Sequence, residues 1–203
     1  MADSAAELKA ARLWKANKHR MNYCMEAGKL FYVTHQTPAT AVTGQTGWVV
    51  TTPTFLIYGA NVASRGVLKR MTLSQAGTVA GGAIGISVVV DRTSRFSVGG
   101  TAVTPQNANV NYTNASGWTF LYNPTASVAG TGTSIPRYLQ ENCIAASVGN
   151  VFSIDFTEAF EESGLPFGTA GSTMGAFTGS LLVYTWAATT GPTWRFTFEY
   201  LED

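Results

Sequence analysis

Glu158, Glu161 and Glu162 follow closely on Asp155, and a pair of carboxylates is what hydrolysis of a glycosidic bond requires, one as general acid and one as nucleophile or base. The same cluster is what a short solvated turn after a strand contains, and nothing in its spacing sets two carboxyl pKa values apart. The turn is the stronger reading. His19 and His35 lie too far apart in the sequence to suggest a shared role, and each reads as an ordinary polar residue. There is no Gly-x-Ser-x-Gly elbow for a hydrolase nucleophile. The glycines at 81, 82 and 85 and at 130 and 132 lack the Lys and Ser/Thr of a phosphate-binding loop. Asp91 has the chemistry to hold a cation at a loop tip, but beside Arg92 it reads as a turn residue. The residues point to no catalytic constellation, metal site or cofactor, and the chain is read as a non-enzyme.

One polar loop offers binding chemistry instead. Between Asn107 and Trp118 the chain is rich in Asn and carries Tyr112 and Trp118, two aromatic side chains suited to stacking on sugar rings. They are the candidate ligand contacts. Asn111-Tyr112-Thr113 and Asn114-Ala115-Ser116 match the glycosylation pattern, which here marks only an exposed loop.

These residues belong to a chain of 203 residues, long enough for one domain and an appendage, with a core that needs no covalent staples. Only 12 % of residues are charged against 45 % hydrophobic, which is unlike disorder, and the net charge of +1 gives no global case for nucleic acid or an acidic partner. Cys24 and Cys143 lie in different contexts without a Cys-x-x-Cys pair, so neither a disulfide framework nor a zinc site is expected. Lys9, Arg12, Lys15, Lys18 and Arg20 interrupt any apolar run near the N-terminus, so secretion is not expected. The uncharged stretches are filled with Thr, Gly and Asn, and a soluble protein is expected.

Two regions position everything else. Residues 1–28 read as an amphipathic helical arm. Ser4 and Glu7 have capping-box spacing, and Gly28 suits the left-handed residue that ends a helix. At 100° per residue Ala10, Leu13, Trp14, Asn17, Met21, Cys24 and Met25 fall in an arc of about 120°, with the basic residues mostly opposite. A helix this short needs a surface for its stripe. Three surfaces are open to it: its own body or a sister subunit, a different protein, or an anionic surface. Met and aromatic content favours protein over membrane, where Asn17 interrupts the stripe, and over nucleic acid, for which no stacking platform is present. Leu13, Trp14 and Met21 are the expected anchors.

Beyond Gly28, residues 29–203 change to a period of two, the mark of half-buried strands. Trp194, Phe196, Phe198 and Tyr200 alternate with Thr193, Arg195, Thr197 and Glu199, and Ile84 to Val90 alternates likewise. Further strands are expected at 30–34, 48–51, 54–58, 67–74, 117–122, 150–156 and 180–187, with a weaker one at 138–147, and loops at 76–82, 103–117 and 123–136. Leu181 to Trp186 is apolar on both faces, which places it mid-sheet or at a subunit interface. Nine or ten strands joined by unequal connections predict an all-β, jelly-roll-like β-sandwich with the N-terminal helical arm attached.

Two stretches carry a family likeness: Thr72-Leu73-Ser74-Gln75-Ala76-Gly77-Thr78-Val79-Ala80-Gly81-Gly82 leading on to Gly99-Gly100-Thr101-Ala102-Val103-Thr104-Pro105-Gln106-Asn107-Ala108-Asn109, and Gly179-Ser180-Leu181-Leu182-Val183-Tyr184-Thr185-Trp186 with Pro192-Thr193-Trp194. Over about residues 48–200 the chain resembles a group of tailed-bacteriophage virion proteins. The resemblance implies a structural protein of the virion, assembled in the host cytoplasm, with no catalytic residues to carry over; the arm has no counterpart in that group. On this basis a head decoration or cement protein is expected, a homo-oligomer (trimer) docked on the major capsid protein, with no nucleic acid or membrane partner. The alternative is a tail or fibre-associated glycan-binding module. A carbohydrate-active enzyme using Glu158 and Glu161 is a third.

Overall fold

The computed structural model describes residues 22–37, 39–77, 83–126, 137–144, 150–159, 164–170 and 176–203, with 137–144 and 158–159 by backbone only. The period-two pattern becomes two antiparallel sheets packed face to face. One holds β1 (Leu30–Thr34), β2 (Val42–Thr43), β4 (Gly66–Gln75), β7 (Gln106–Asn107), β10 (Val151–Asp155), β11 (Leu165–Phe167) and β14 (Thr193–Glu202), in the order β10-β4-β14-β1-β7, with β11 on β4 and β2 on β14. The other holds β3 (Phe55–Val62), β5 (Ala83–Asp91), β6 (Phe96–Val103), β8 (Thr119–Ala126), β9 (Arg137–Ile144), β12 (Thr169–Ala170) and β13 (Phe177–Ala187), in the order β6-β8-β3-β13-β5-β9, with β12 on β13. A helical turn, Phe156–Ala159, follows β10. Among the described residues no helix is long and apolar enough to cross a membrane.

The core lies between the sheets because each central strand turns one face inward. From β14, Trp194, Phe196, Phe198 and Tyr200 are buried there, while Arg195 and Thr197 face solvent. Phe55 and Phe120 from the opposite sheet meet Phe196 and Phe198, with Phe55–Phe196 ring centroids at 4.8 Å and Phe120–Phe198 at 5.0 Å. Such offset and edge contacts suit the ring quadrupoles and add to the area buried. A buried polar chain crosses one end of the core. Trp194 Nε1 donates to Thr185 Oγ1 at 3.0 Å, and Thr185 Oγ1 lies 2.9 Å from Thr54 Oγ1.

The expected two-faced strand is β13, in mid-sheet between β3 and β5. Leu181 and Val183 face the core, while Leu182 and Tyr184 join Leu56, Val89 and Ala126 in a second apolar cluster on the far side. The chain itself covers that far side. Phe96 stacks on Tyr58 at 4.6 Å, Trp48 lies 5.8 Å from Tyr184, and Tyr184 donates its hydroxyl hydrogen to Val50 O at 2.8 Å.

Several expectations need correction. Residues 48–51 form a turn rather than a strand, with Thr52 N bonded to Val49 O at 3.1 Å; their apolar side chains serve as the cover just described. The loop expected at 123–136 begins later, since β8 runs on to Ala126. Pro124 lies in it opposite Gly99 of β6, beyond Tyr122, the last β8 residue that β3 pairs. β6 escaped the pattern because nearly all its residues are exposed and Gly99 and Gly100 take φ of 72° and 82°. Short β7 lies inside the loop expected at 103–117.

Candidate docking site at the root of the arm

Of residues 1–28, expected to form a helical arm, 22–28 are described, with helix over 22–26; Leu13, Trp14 and Met21 lie outside the described residues, as do His19, Glu161 and Glu162. The helix ends as its glycine suggests. Gly28 has φ +65°, its N–H bonds Met25 O at 3.1 Å, and Lys29 N bonds Cys24 O at 2.7 Å, the double closure of a Schellman motif. Cys24 is buried against Leu30, Val67 and Leu201 on the outer face of the β14 sheet, so the final turn rests on the chain's own body. Tyr23, at 66 % exposure, and Met25, at 39 %, point away from it.

The loop between β7 and β8 grips this junction. Asn107 and Asn114 both donate from Nδ2 to Gly28 O, at 2.7 and 3.0 Å. β7 is itself held on β1, and two successive Asx turns, Asn109 N to Asn107 Oδ1 and Asn111 N to Asn109 Oδ1, shape the loop. The Tyr112 ring lies on Gly28 so closely that a Cβ there would sit 2.6 Å from ring Cγ. Gly28→Ala therefore meets both a left-handed backbone and an occupied space. It is expected to cost about 1–2 kcal/mol and to raise amide hydrogen exchange at residues 22–28, which exchange mass spectrometry reads directly.

Tyr112 and Trp118 do not form a stacking platform. Tyr112 is 40 % exposed with its ring against Gly28, whereas Trp118 is 1 % exposed in the core. Its indole N–H donates to Ser64 O at 3.0 Å and its ring meets Phe167 edge-on at 4.9 Å. The expectation that Trp118 offers a face to a sugar is corrected: the free energy of burying an indole, with its N–H satisfied, outweighs anything its polar neighbours suggest.

The end of the loop is fastened to β14. Ser116 Oγ bonds Glu202 Oε1 and lies 2.6 Å from Tyr200 OH, and Gly117 N donates to Glu202 Oε1 at 3.0 Å. Burial pushes the Glu202 carboxyl above its ordinary value, against the opposing hydrogen bonds from Ser116, Gly117 and Trp118. A carboxyl whose folded pKa is raised binds its proton more tightly when folded, so its contribution is most favourable below the ordinary carboxylate range and is lost as pH rises through the raised value. Glu202→Gln keeps an acceptor for Gly117 and removes the charge. Its denaturation midpoint is expected to gain on the wild type as pH rises above about 4, the ordinary carboxylate range, with the two converging at the acid end.

The remaining candidates lie elsewhere in the fold. Asp155 accepts from Thr157 N at 2.9 Å and from Arg70 Nη2 at 3.2 Å; burial pushes its pKa up, but the Thr157 and Arg70 bonds prevail and hold it below the ordinary range, the opposite of a general acid. Glu158 lies in the turn that follows. Asp91, 3 % exposed, pairs with Arg95 Nε at 2.7 Å rather than with Arg92. His35 packs 5.5 Å from the Tyr122 ring, and its Nδ1 accepts from Thr37 N at 3.0 Å. Comparison with known proteins gives no match to a family model, a curated protein or a solved structure.

Proposed function

We propose that this chain is a structural docking protein whose arm anchors it to a larger particle, and specifically a head decoration or cement protein of a tailed bacteriophage, working as a homotrimer on the major capsid protein. The carrying observation is the grip on Gly28 by Asn107, Tyr112 and Asn114. A flexible tether needs no such clamp. Fixing the exit point of the arm lowers the ordering entropy lost on docking, and many weak contacts on one lattice act at high effective concentration. The resemblance to phage virion proteins supplies the particle.

A jelly roll is the architecture proposed for the body. In its favour, β1, β14, β4 and β10 neighbour one another in one sheet and β3, β13, β5 and β9 in the other, the arrangement two interlocked Greek keys produce, with β6 to β8 as an insertion at one edge. The glycan-binding alternative is weakened because its second aromatic, Trp118, is buried.

The test is the copy number of the protein in purified particles, by quantitative mass spectrometry against the major capsid protein. A ratio near one-to-one or one-to-three is expected. A ratio near one-to-fifty would move the chain to the tail or a vertex, and absence would overturn the reading. Trp14→Ala is expected to lower occupancy at least about tenfold, since truncating a buried aromatic anchor costs most at an interface.

A further inference from the structure

The end of the sandwich that carries the arm root also carries a second feature. Lys29 O accepts from Glu202 N, and Asp203 exchanges two backbone hydrogen bonds with Arg65, so arm root, C-terminal strand and Arg65 are successive neighbours. Beside Arg65 opens a depression of about 520 Å³ lined by Val90, Arg92, Pro166, Thr169 and Phe177, a volume within the range of roughly 300–1,000 Å³ that small ligands occupy.

Its two arginines differ. Arg65, Arg70 and Arg95 each meet a carboxylate, of Asp203, Asp155 and Asp91. Arg92 is exposed and meets none among the described residues. Yet the turn presenting Arg92 is held unusually firmly. Buried Asp91 accepts from Thr93 N at 2.9 Å and from Arg95 Nε at 2.7 Å, Ser180 Oγ accepts from Arg95 N at 2.7 Å, and it donates to Thr93 O at 3.1 Å. The floor is equally fixed: Gly168, at φ +91°, lies against Trp118, and a Cβ on Gly179 would come within 2.8 Å of Gly168 Cα. An exposed guanidinium carried on a firmly held turn, beside a partly exposed aromatic ring and a proline, suits a carboxylate flanked by an apolar group.

We propose that this depression takes an aspartate or glutamate side chain, with an adjacent apolar side chain over Phe177, from an acidic segment of the protein on which the arm docks. The identity of that protein rests on the function proposed above; the chemistry of the site does not. The isotope-labelled full chain, titrated with the capped dipeptide Ac-Asp-Leu-NH2, tests it by NMR. Saturable shifts are expected at Arg92, Thr169 and Phe177, with affinity about tenfold lower for Ac-Asn-Leu-NH2, since the bond is charge-assisted. Arg92→Gln should abolish them and Arg195→Gln, on a different face, should leave them unchanged. Equal affinity for both dipeptides, no saturation, or unchanged shifts in Arg92→Gln would overturn the proposal. Tighter binding of glucuronate than of the aspartyl dipeptide would overturn it in favour of an acidic sugar. Because particle occupancy is not the readout, a failed titration is distinguishable from a failed capsid assignment.

Discussion

Phe198→Ala is expected to lower the unfolding free energy by about 3–5 kcal/mol, the largest single-residue effect in the body. Phe198 is fully buried in β14 and its ring touches rings from both sheets: Phe55 at 5.4 Å, Phe120 at 5.0 Å and Phe196 at 6.0 Å. Truncation removes the area those rings bury and leaves a cavity that two hydrogen-bonded sheets cannot close by moving together. For a chain of this size the melting temperature should fall by roughly 6–20 °C. Phe198→Leu, which refills most of the volume, should recover more than half of the loss; equal losses in the two variants would show that the ring cluster is not what fixes the sheet spacing.

Thr185→Val is expected to cost about 1–3 kcal/mol although it is nearly isosteric, because the effect is polar. Thr185 is 1 % exposed, and its hydroxyl oxygen accepts from Trp194 Nε1 and contacts Thr54 Oγ1. The valine leaves the indole N–H buried with no acceptor, and an unmet buried donor costs more than the bond was worth. Pairing the change with Trp194→Phe removes the orphan. The double variant should therefore be more stable than the sum of the two single losses allows, a coupling that chemical denaturation measures directly.

Much of the body was legible because its physics is local. In β14 each aromatic alternates with a polar residue, and the two sets face core and solvent as that alternation requires. In β13 the absence of alternation announced a strand apolar on both sides, and it lies in mid-sheet. The failures were long-range. Trp118 sits in a polar stretch, and only contacts with Ser64 and Phe167, about fifty residues away on either side, make it a core residue. The strand β6 has neither alternation nor burial, so pairing with β8 alone defines it. At the candidate site, Gly28 was readable as a helix stop, but not the two asparagines that bind its carbonyl from 79 and 86 residues further on. Asn is favoured in loops for many reasons, and nothing in its type names a distant partner.

The strand order also governs when the protein can form. β14 lies between β4 and β1, and β13 between β3 and β5, so the central strand of each sheet is synthesised after both of the strands it joins. Until then, β1, β3, β4 and β5 leave the ribosome with apolar edges and no partner to close them. Leu30 waits for Leu201 and Phe55 for Val183. Such distant pairings slow folding, because loop closure precedes the contacts that reward it, and the unpaired edges stay adhesive until β13 and β14 have been made.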